Sequence, residues 1–263
     1  MTRTVQQLFD LTGKTALVTG GSRGLGLQMA FALGEAGAKV LISSRKAEDL
    51  EQATAQLQAA GIDARWVAAD CAKDSDIQRL ADETLHRMGD VDILVNNAGA
   101  TWGAPAEDHP IDAWDKVMNL NVRGYFLLSQ TIAKKSMIPR RTGRIINIAS
   151  IAGLNGNPEG MTTIAYNTSK GAVINFTRTL GAEWGKYNIN VNAICPGFFP
   201  SKMTYGLLKA LGEEQLAAAA PLKRLGDDED LKGVCLLFAS DAGKHITGQW
   251  LAVDGGVSVV TGG

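Results

Sequence analysis

Along almost the whole chain, short apolar runs alternate with stretches in which apolar residues recur every three to four positions. Residues 14–19 (KTALVT), 39–43 (KVLIS), 65–69, 92–95, 144–148 (RIINI), 190–194 and 249–253 read as strands. Helical patterns fill the intervals. One covers 25–36 and stops at Gly37; the next puts Leu50, Ala53, Leu57 and Ala60 on one face and stops at Gly61. Others cover 76–88, a long stretch 112–137, 164–184 and 230–240. A glycine just past a helix closes it by taking the left-handed conformation. None of the strands alternates strictly between apolar and polar, which is the pattern of strands covered on both faces. The expected fold class is therefore α/β, a doubly wound parallel sheet with helices on both faces and right-handed crossovers. With no repeat, low-complexity segment or linker, residues 1–263 read as a single domain.

Composition narrows the function classes. An apolar content of 45% and a charged content of 20% are those of a globule with a real core. A net charge of −1 argues against nucleic acid or an anionic membrane as partner. No apolar run is long enough to cross a bilayer, and the first residues (MTRTVQQLFDLTGK) lack a signal-peptide core. Cys71, Cys195 and Cys235 are far apart and odd in number, which fits a reducing cytoplasm. His86, His109 and His245 are scattered too, so no metal site is expected.

The chemistry concentrates between Ser150 and Lys170, SIAGLNGNPEGMTTIAYNTSK. Tyr166 and Lys170 lie four apart at the start of a helical pattern, so they project from one face. A phenol with an ordinary pKa of about 10 is a poor acid–base group at neutrality. A fixed cation nearby favours phenolate, and bringing the pKa near 7 takes about 4 kcal/mol of such preference. A second Tyr-x-x-x-Lys, Tyr205 and Lys209, shows that the spacing alone says little.

The first strand runs into Thr19-Gly20-Gly21-Ser22-Arg23-Gly24-Leu25-Gly26 and then a helix. Such a turn brings backbone N–H groups and a positive helix end up to a pyrophosphate. NAD-type sites carry an acid about 20 residues further on, for the ribose 2′-OH. Here the second strand ends Ser43-Ser44-Arg45-Lys46, with no carboxylate before Glu48. Arg45 and Arg23 suit a 2′-phosphate, since a guanidinium matches its geometry, and Ser44 adds a hydroxyl. The expectation is NADP(H) in preference to NAD(H); the alternative for Arg45 is a surface residue at a helix start. Asp70, ending the third strand, is a candidate for the adenine amino group or a cap for the helix after it.

These residues, with Asn96-Asn97-Ala98-Gly99, Asn121, and Pro196-Gly197, occur in the order that resembles short-chain dehydrogenases/reductases, from about residue 11 to 256. The resemblance implies a seven-stranded sheet, and hydride transfer between a nicotinamide and a ketone or secondary alcohol. It implies Tyr166 as acid–base and Lys170 as the group that lowers its pKa and holds the nicotinamide ribose. Ser150 would bind the substrate oxygen, and Asn121 would position a water. Cofactor contacts are implied for Gly20, Ser22, Arg23, Gly24, Leu25, Gly26, Ser44, Arg45, Asp70, Cys71, Asn97, Ala98, Gly99, Tyr166, Lys170, Pro196, Gly197, Phe199 and Ser201. Tyr205/Lys209 falls after Pro196-Gly197, outside the catalytic helix. A homotetramer built on the helices near 112–137 and 164–184 is implied as well.

The family most often has three residues fewer between serine and tyrosine than the fifteen here, Ile151 to Ala165. The extra length is expected to bulge at the pocket mouth. Thr101, Trp102, residues 154–161, and Phe198, Phe199 and Met203 in a lid over about 198–225 form the expected substrate walls. Their apolar character suits an acyl or alkyl group, resembling 3-oxoacyl-thioester reductases, with a polyol or gluconate dehydrogenase as alternative. A non-catalytic dinucleotide-binding scaffold is the rival of another class. The basic run Lys134, Lys135, Arg140, Arg141 and Arg144 reads as a site for an acidic carrier or coenzyme A phosphates, or as the solvated cationic end of a long helix.

Overall fold

The computed structural model describes residues 2–157, 160–201, 204–206 and 212–260. In chain order the elements are α1 (Val5–Phe9), β1 (Thr15–Thr19), α2 (Gly24–Glu35), β2 (Lys39–Ser44), α3 (Ala47–Ala59), β3 (Ala64–Ala68), α4 (Asp74–Met88) and β4 (Ile93–Asn96). Then come α5 (Ile111–Met118), α6 (Gly124–Ile132), α7 (Ile138–Arg140), β5 (Gly143–Ile148), α8 (Ile164–Trp184) and β6 (Ile189–Pro196). Two short helices, α9 (Glu213–Ala219) and α10 (Lys232–Ala239), precede β7 (Trp250–Val253). The seven strands form one parallel sheet in the order β3-β2-β1-β4-β5-β6-β7. Connections reverse direction between β1 and β4, which opens a crevice at their carboxyl ends.

The missing alternation has its cause in the two cores. Ala16 and Val18, Val40 and Ile42, Ile93 and Val95, Ile146 and Ile148 face one core, which α2, α3 and α10 close. Leu17, Leu41, Leu94 and Ile145 face the other, against α4, α6 and α8. Residues pointing in either direction from these central strands are apolar because both faces are interior. Leu50, Ala53 and Leu57 are buried as expected, whereas Ala60 is exposed because α3 has already ended.

The long helical stretch runs without a break from Ile111 to Arg140 but widens twice into π turns, Asn119–Arg123 and Ala133–Met137. The second has a visible cause. Pro139 has no N–H for the carbonyl of Lys135, and its ring crowds that carbonyl, so the helix opens there. The basic run following it is largely paired with neighbouring acids. Lys135 pairs with Asp82. Arg140 sits 3.2 Å from Asp90 and 3.0 Å from Asp92, and Arg144 lies 3.1 Å from Asp241. Arg141 donates to the Lys186 carbonyl at 2.6 Å. Lys134, Lys135 and Arg141 stay exposed, as the solvated end of a long helix would have them, but the charge is largely paired rather than a free cationic patch.

Beneath the catalytic end, a polar chain crosses the sheet. Asn96 Nδ2 donates to Ser129 Oγ and to Asn147 Oδ1, both at 2.9 Å, and Asn147 Nδ2 donates to Thr177 Oγ1 at 3.0 Å. All four residues are buried. The chain ties β4 and β5 to α6 and α8. Asn147→Ala is expected to strip partners from Asn96 and Thr177 and to cost about 1–3 kcal/mol, read as a lower urea midpoint at unchanged slope.

Candidate active site

Strand β1 ends on Thr19, whose buried hydroxyl accepts from the backbone N–H of Asn97 at 3.0 Å and of Ala98 at 3.1 Å. Asn97 Nδ2 in turn donates to the carbonyls of Thr19 (2.9 Å) and Gly20 (3.2 Å). The glycine turn and the end of β4 are thus one rigid unit. Thr19 was legible only as part of a motif; its locking role needed the neighbouring strand.

The turn leaves room on one side and none on the other. At Gly26 a Cβ would meet the Gly20 carbonyl oxygen at 2.2 Å, and Gly20 (φ +64°) is closed by Asn97 in the same way. Gly24 (φ +53°) has nothing within 4 Å of its Cβ direction. Helix α2 begins there with no side-chain cap, so its first N–H groups face that open side. At the end of β2 the Ser44 hydroxyl is buried with no hydrogen-bond partner among the described residues. An open cradle of helix N–H groups and an unpartnered hydroxyl fit a dinucleotide. Ser22 and Leu25 are half-buried on the turn, and Arg23 and Arg45 are exposed at its rim. Asp70 holds the turn after β3 by accepting from Ala72 N–H at 3.1 Å.

Ser150 follows β5 in extended conformation, and its Oγ accepts from Ala152 N–H at 3.1 Å. Helix α8 carries Tyr166, Ser169 and Lys170 toward it and sets the Tyr166 phenol beside the Ser150 hydroxyl. Lys170 is only 3% exposed; its Nζ donates to the Ile148 carbonyl at 2.7 Å and lies 5.5 Å from the Tyr166 ring centre. Tyr125 donates to the same carbonyl at 3.3 Å. Asn121, fully buried in the first π turn, accepts from Ala100 N–H (2.8 Å) and donates to the Ala100 carbonyl and to Ser169 Oγ, both at 2.9 Å. Ser169 Oγ donates on to the Tyr166 carbonyl at 2.7 Å. Asn121 therefore braces the backbone of Tyr166. Bare Gly99 leaves the space beside Asn121 and Lys170, whose Nζ would lie 3.8 Å from a Cβ there.

Burial dominates the electrostatics of the pair. Burial pushes the Tyr166 phenol above its ordinary value; the neighbouring Ser150 hydroxyl opposes this only in part, and the Cys195 thiol adds to the rise. Burial also draws Lys170 down to about 8. The ammonium is held on a backbone carbonyl rather than at the phenol oxygen, and burial is the largest influence on Tyr166.

Some expected contacts move. The Phe199 ring is in the core, packed where Gly226 has no side chain, so it is not a pocket wall. The Cys71 thiol is likewise in the core, its pKa pushed up to about 12 by burial. Ser201 is engaged in a local turn with Thr204. Phe198 is half-buried, and Trp102 is 43% exposed with Lys116 Nζ 5.9 Å from its ring centre. Pro196 is buried at the end of β6, and Gly197 abuts Asp254. Met203 and Lys209 lie outside the described residues. The extra length before Tyr166 folds back on the first turn of α8. Asn157 Nδ2 donates to Met161 O (3.0 Å), Thr163 Oγ1 (2.8 Å) and Asn167 Oδ1 (3.2 Å), while Asn167 Nδ2 returns a 2.8 Å bond to Asn157 Oδ1. Ala104 N–H joins Thr162 O at 2.9 Å, fixing this loop to the segment after β4.

A doubly wound parallel sheet with a glycine turn at its switch point and a Ser/Tyr/Lys cluster two strands away defines a dinucleotide-dependent oxidoreductase. The sequence profile of the family described as short chain dehydrogenase matches residues 14–211. The chain belongs to that family. It is 39% identical over 254 residues to the rhamnolipids biosynthesis 3-oxoacyl-[acyl-carrier-protein] reductase of Pseudomonas aeruginosa, covering 94% of this chain and 97% of the relative. It is 38% identical over 258 residues to gluconate 5-dehydrogenase of Gluconobacter oxydans, covering 96% and 97%. Among solved structures, a gluconate 5-dehydrogenase from Burkholderia cenocepacia in complex with NADP and tartrate superposes with a TM-score of 0.92 at 34% identity, covering 98% of this chain and all of that one.

Lys170 has a folded pKa below its unfolded value of 10.5, so its burial cost is full below about pH 8 and fades as pH rises toward 10.5. Lys170→Met is therefore expected to be more stable than the parent at pH 7, by about 1–3 kcal/mol after the lost Ile148 hydrogen bond is allowed for. Thermal melts should show the gap closing by about pH 10.

Proposed function

We propose that this protein is an NADP(H)-dependent reductase interconverting a ketone and a secondary alcohol, with 3-oxoacyl thioesters as its leading substrate class. What carries the reading is the meeting of Ser150, Tyr166 and Lys170 at the carboxyl edge of the sheet, two strands from the glycine cradle. Residues 20–26 would hold the pyrophosphate, Ser44 and Arg45 the 2′ side, Asp70 the adenine, and Ala98, Gly99, Lys170, Pro196 and Gly197 the nicotinamide half. When bound, the nicotinamide supplies or accepts hydride at the substrate carbon.

The chain's own residues do the rest. Ser150 donates to the substrate oxygen and fixes it beside Tyr166. Tyr166, protonated at neutral pH because burial raises its pKa, gives its hydroxyl proton to that oxygen. Lys170 lies beneath the phenol ring and stabilises the phenolate left behind. Asn121, through Ser169, keeps the tyrosine backbone in place.

The 3-oxoacyl relative at 39% identity and the apolar character of Leu154, Met161 and Phe198 support the acyl-thioester reading. The gluconate 5-dehydrogenase relative at 38% supports a polyol or gluconate dehydrogenase as second reading. Three buried, unpaired cysteines suit a reducing cytoplasm. Phe126, 44% exposed and edge-to-face with Phe176, gives α6 and α8 an apolar outer face that suits a homotetramer.

Absorbance at the reduced-cofactor band, with acetoacetyl thioester beside a panel of ketones and sugar acids, separates the readings. Thioester turnover supports the first; turnover of gluconate with no thioester activity transfers the assignment to the second. Tyr166→Phe should lower kcat by about 10²–10⁴, and near-normal turnover in that variant refutes the proton-donor role. Arg45→Ala should weaken NADPH far more than NADH; equal losses would move the phosphate clamp elsewhere.

A further inference from the structure

The end of β2 carries no acid, yet the fold returns a carboxylate to the same neighbourhood. Asp49, in the first turn of α3, reaches back to Arg23, with Oδ2 3.2 Å from Nη1 across 26 residues of sequence. Arg23 stands immediately before α2, at the rim of the glycine turn, and its guanidinium is already charge-paired with Asp49 there. The Asp49 side chain is 34% exposed and that of Arg23 56%, so solvent screens the pair and it opens at small cost. Behind it, the Ser43 and Ser44 hydroxyls are buried without partners among the described residues.

We propose that Asp49 is a positioning residue for cofactor selection: it holds Arg23 away from the ribose 2′ position and so narrows the preference for NADP(H) over NAD(H). A 2′-phosphate must displace the carboxylate from Arg23 and then tolerate a like charge beside it. A neutral 2′-hydroxyl meets neither penalty. Discrimination thus depends on which anion Arg23 prefers, and removing Asp49 shifts that balance toward the phosphate. The proposal rests on the cofactor reading above, and its test separates the two.

Calorimetric titration of the full chain with 2′,5′-ADP and with 5′-AMP needs no turnover. Asp49→Asn should tighten 2′,5′-ADP by about three- to tenfold while changing 5′-AMP by less than about twofold. In an Arg23→Ala background the same substitution should gain less than about twofold, because its effect passes through the guanidinium. An Asp49→Asn chain that binds 2′,5′-ADP no tighter than the parent overturns the proposal. So does a gain that survives undiminished without Arg23, since the carboxylate would then act on the phosphate directly. A parent that binds 2′,5′-ADP no tighter than 5′-AMP overturns the NADP(H) preference; if Asp49→Asn restores it, the role of Asp49 stands.

Discussion

An ammonium shut away from water on a single backbone carbonyl, Lys170 on Ile148, governs the arrangement of the catalytic end. A buried cation is expensive unless its donors are satisfied and its surroundings cannot relax away from it. The neighbourhood answers the second demand fully and the first only in part. Two aromatic rings, Tyr125 and Tyr166, sit 5.6 and 5.5 Å from Nζ and offer their faces to the charge. The carbonyl that accepts from Lys170 belongs to the last residue of β5, a strand paired on both sides. Stability is surrendered here and a poised charge is obtained, which is the usual bargain at a site built for chemistry.

The scaffold that bears this strain is polar as well as apolar. Asn96, Ser129, Asn147 and Thr177 stitch the middle of the sheet to the helices behind it, and Thr19 with Asn97 stitches the glycine turn to β4. Hydrogen bonds inside a core have directions, whereas apolar contacts do not, so they fix relative height and register. The glycine turn and Tyr166 lie on different elements, and the proposed hydride transfer needs their separation to hold to a fraction of an ångström. A core of leucine and valine alone would fill the same space with less definition.

Much of this was legible in the sequence. All seven strands and the helix spanning Ile164–Trp184 follow from apolar runs and period, because strand and helix leave different spacings. The order of Gly24, Gly26, Asn97, Asn121, Ser150, Tyr166 and Lys170 also pointed to one site. What escaped depends on contacts between distant segments. Nothing local says that Phe199 turns into the core to meet Gly226, or that Lys170 chooses Ile148 over the phenol oxygen. The short α1 was missed because five residues without a buried face carry no periodicity; a Thr4–Gln7 capping box defines it. The charge pattern of the run 134–144 is plain, but its acidic partners lie elsewhere in the chain, at Asp82, Asp90, Asp92 and Asp241.

The two asparagines that clasp each other beside Tyr166 have a mechanical consequence. Asn157 and Asn167 fasten the long loop to the helix that it precedes, and Thr163 fills the gap between them. Force on the loop therefore passes into the helix as a whole rather than onto Tyr166 alone. Such a rivet makes the rim of the entrance a tolerant place: its composition can drift to suit another guest while the engine behind it keeps its alignment.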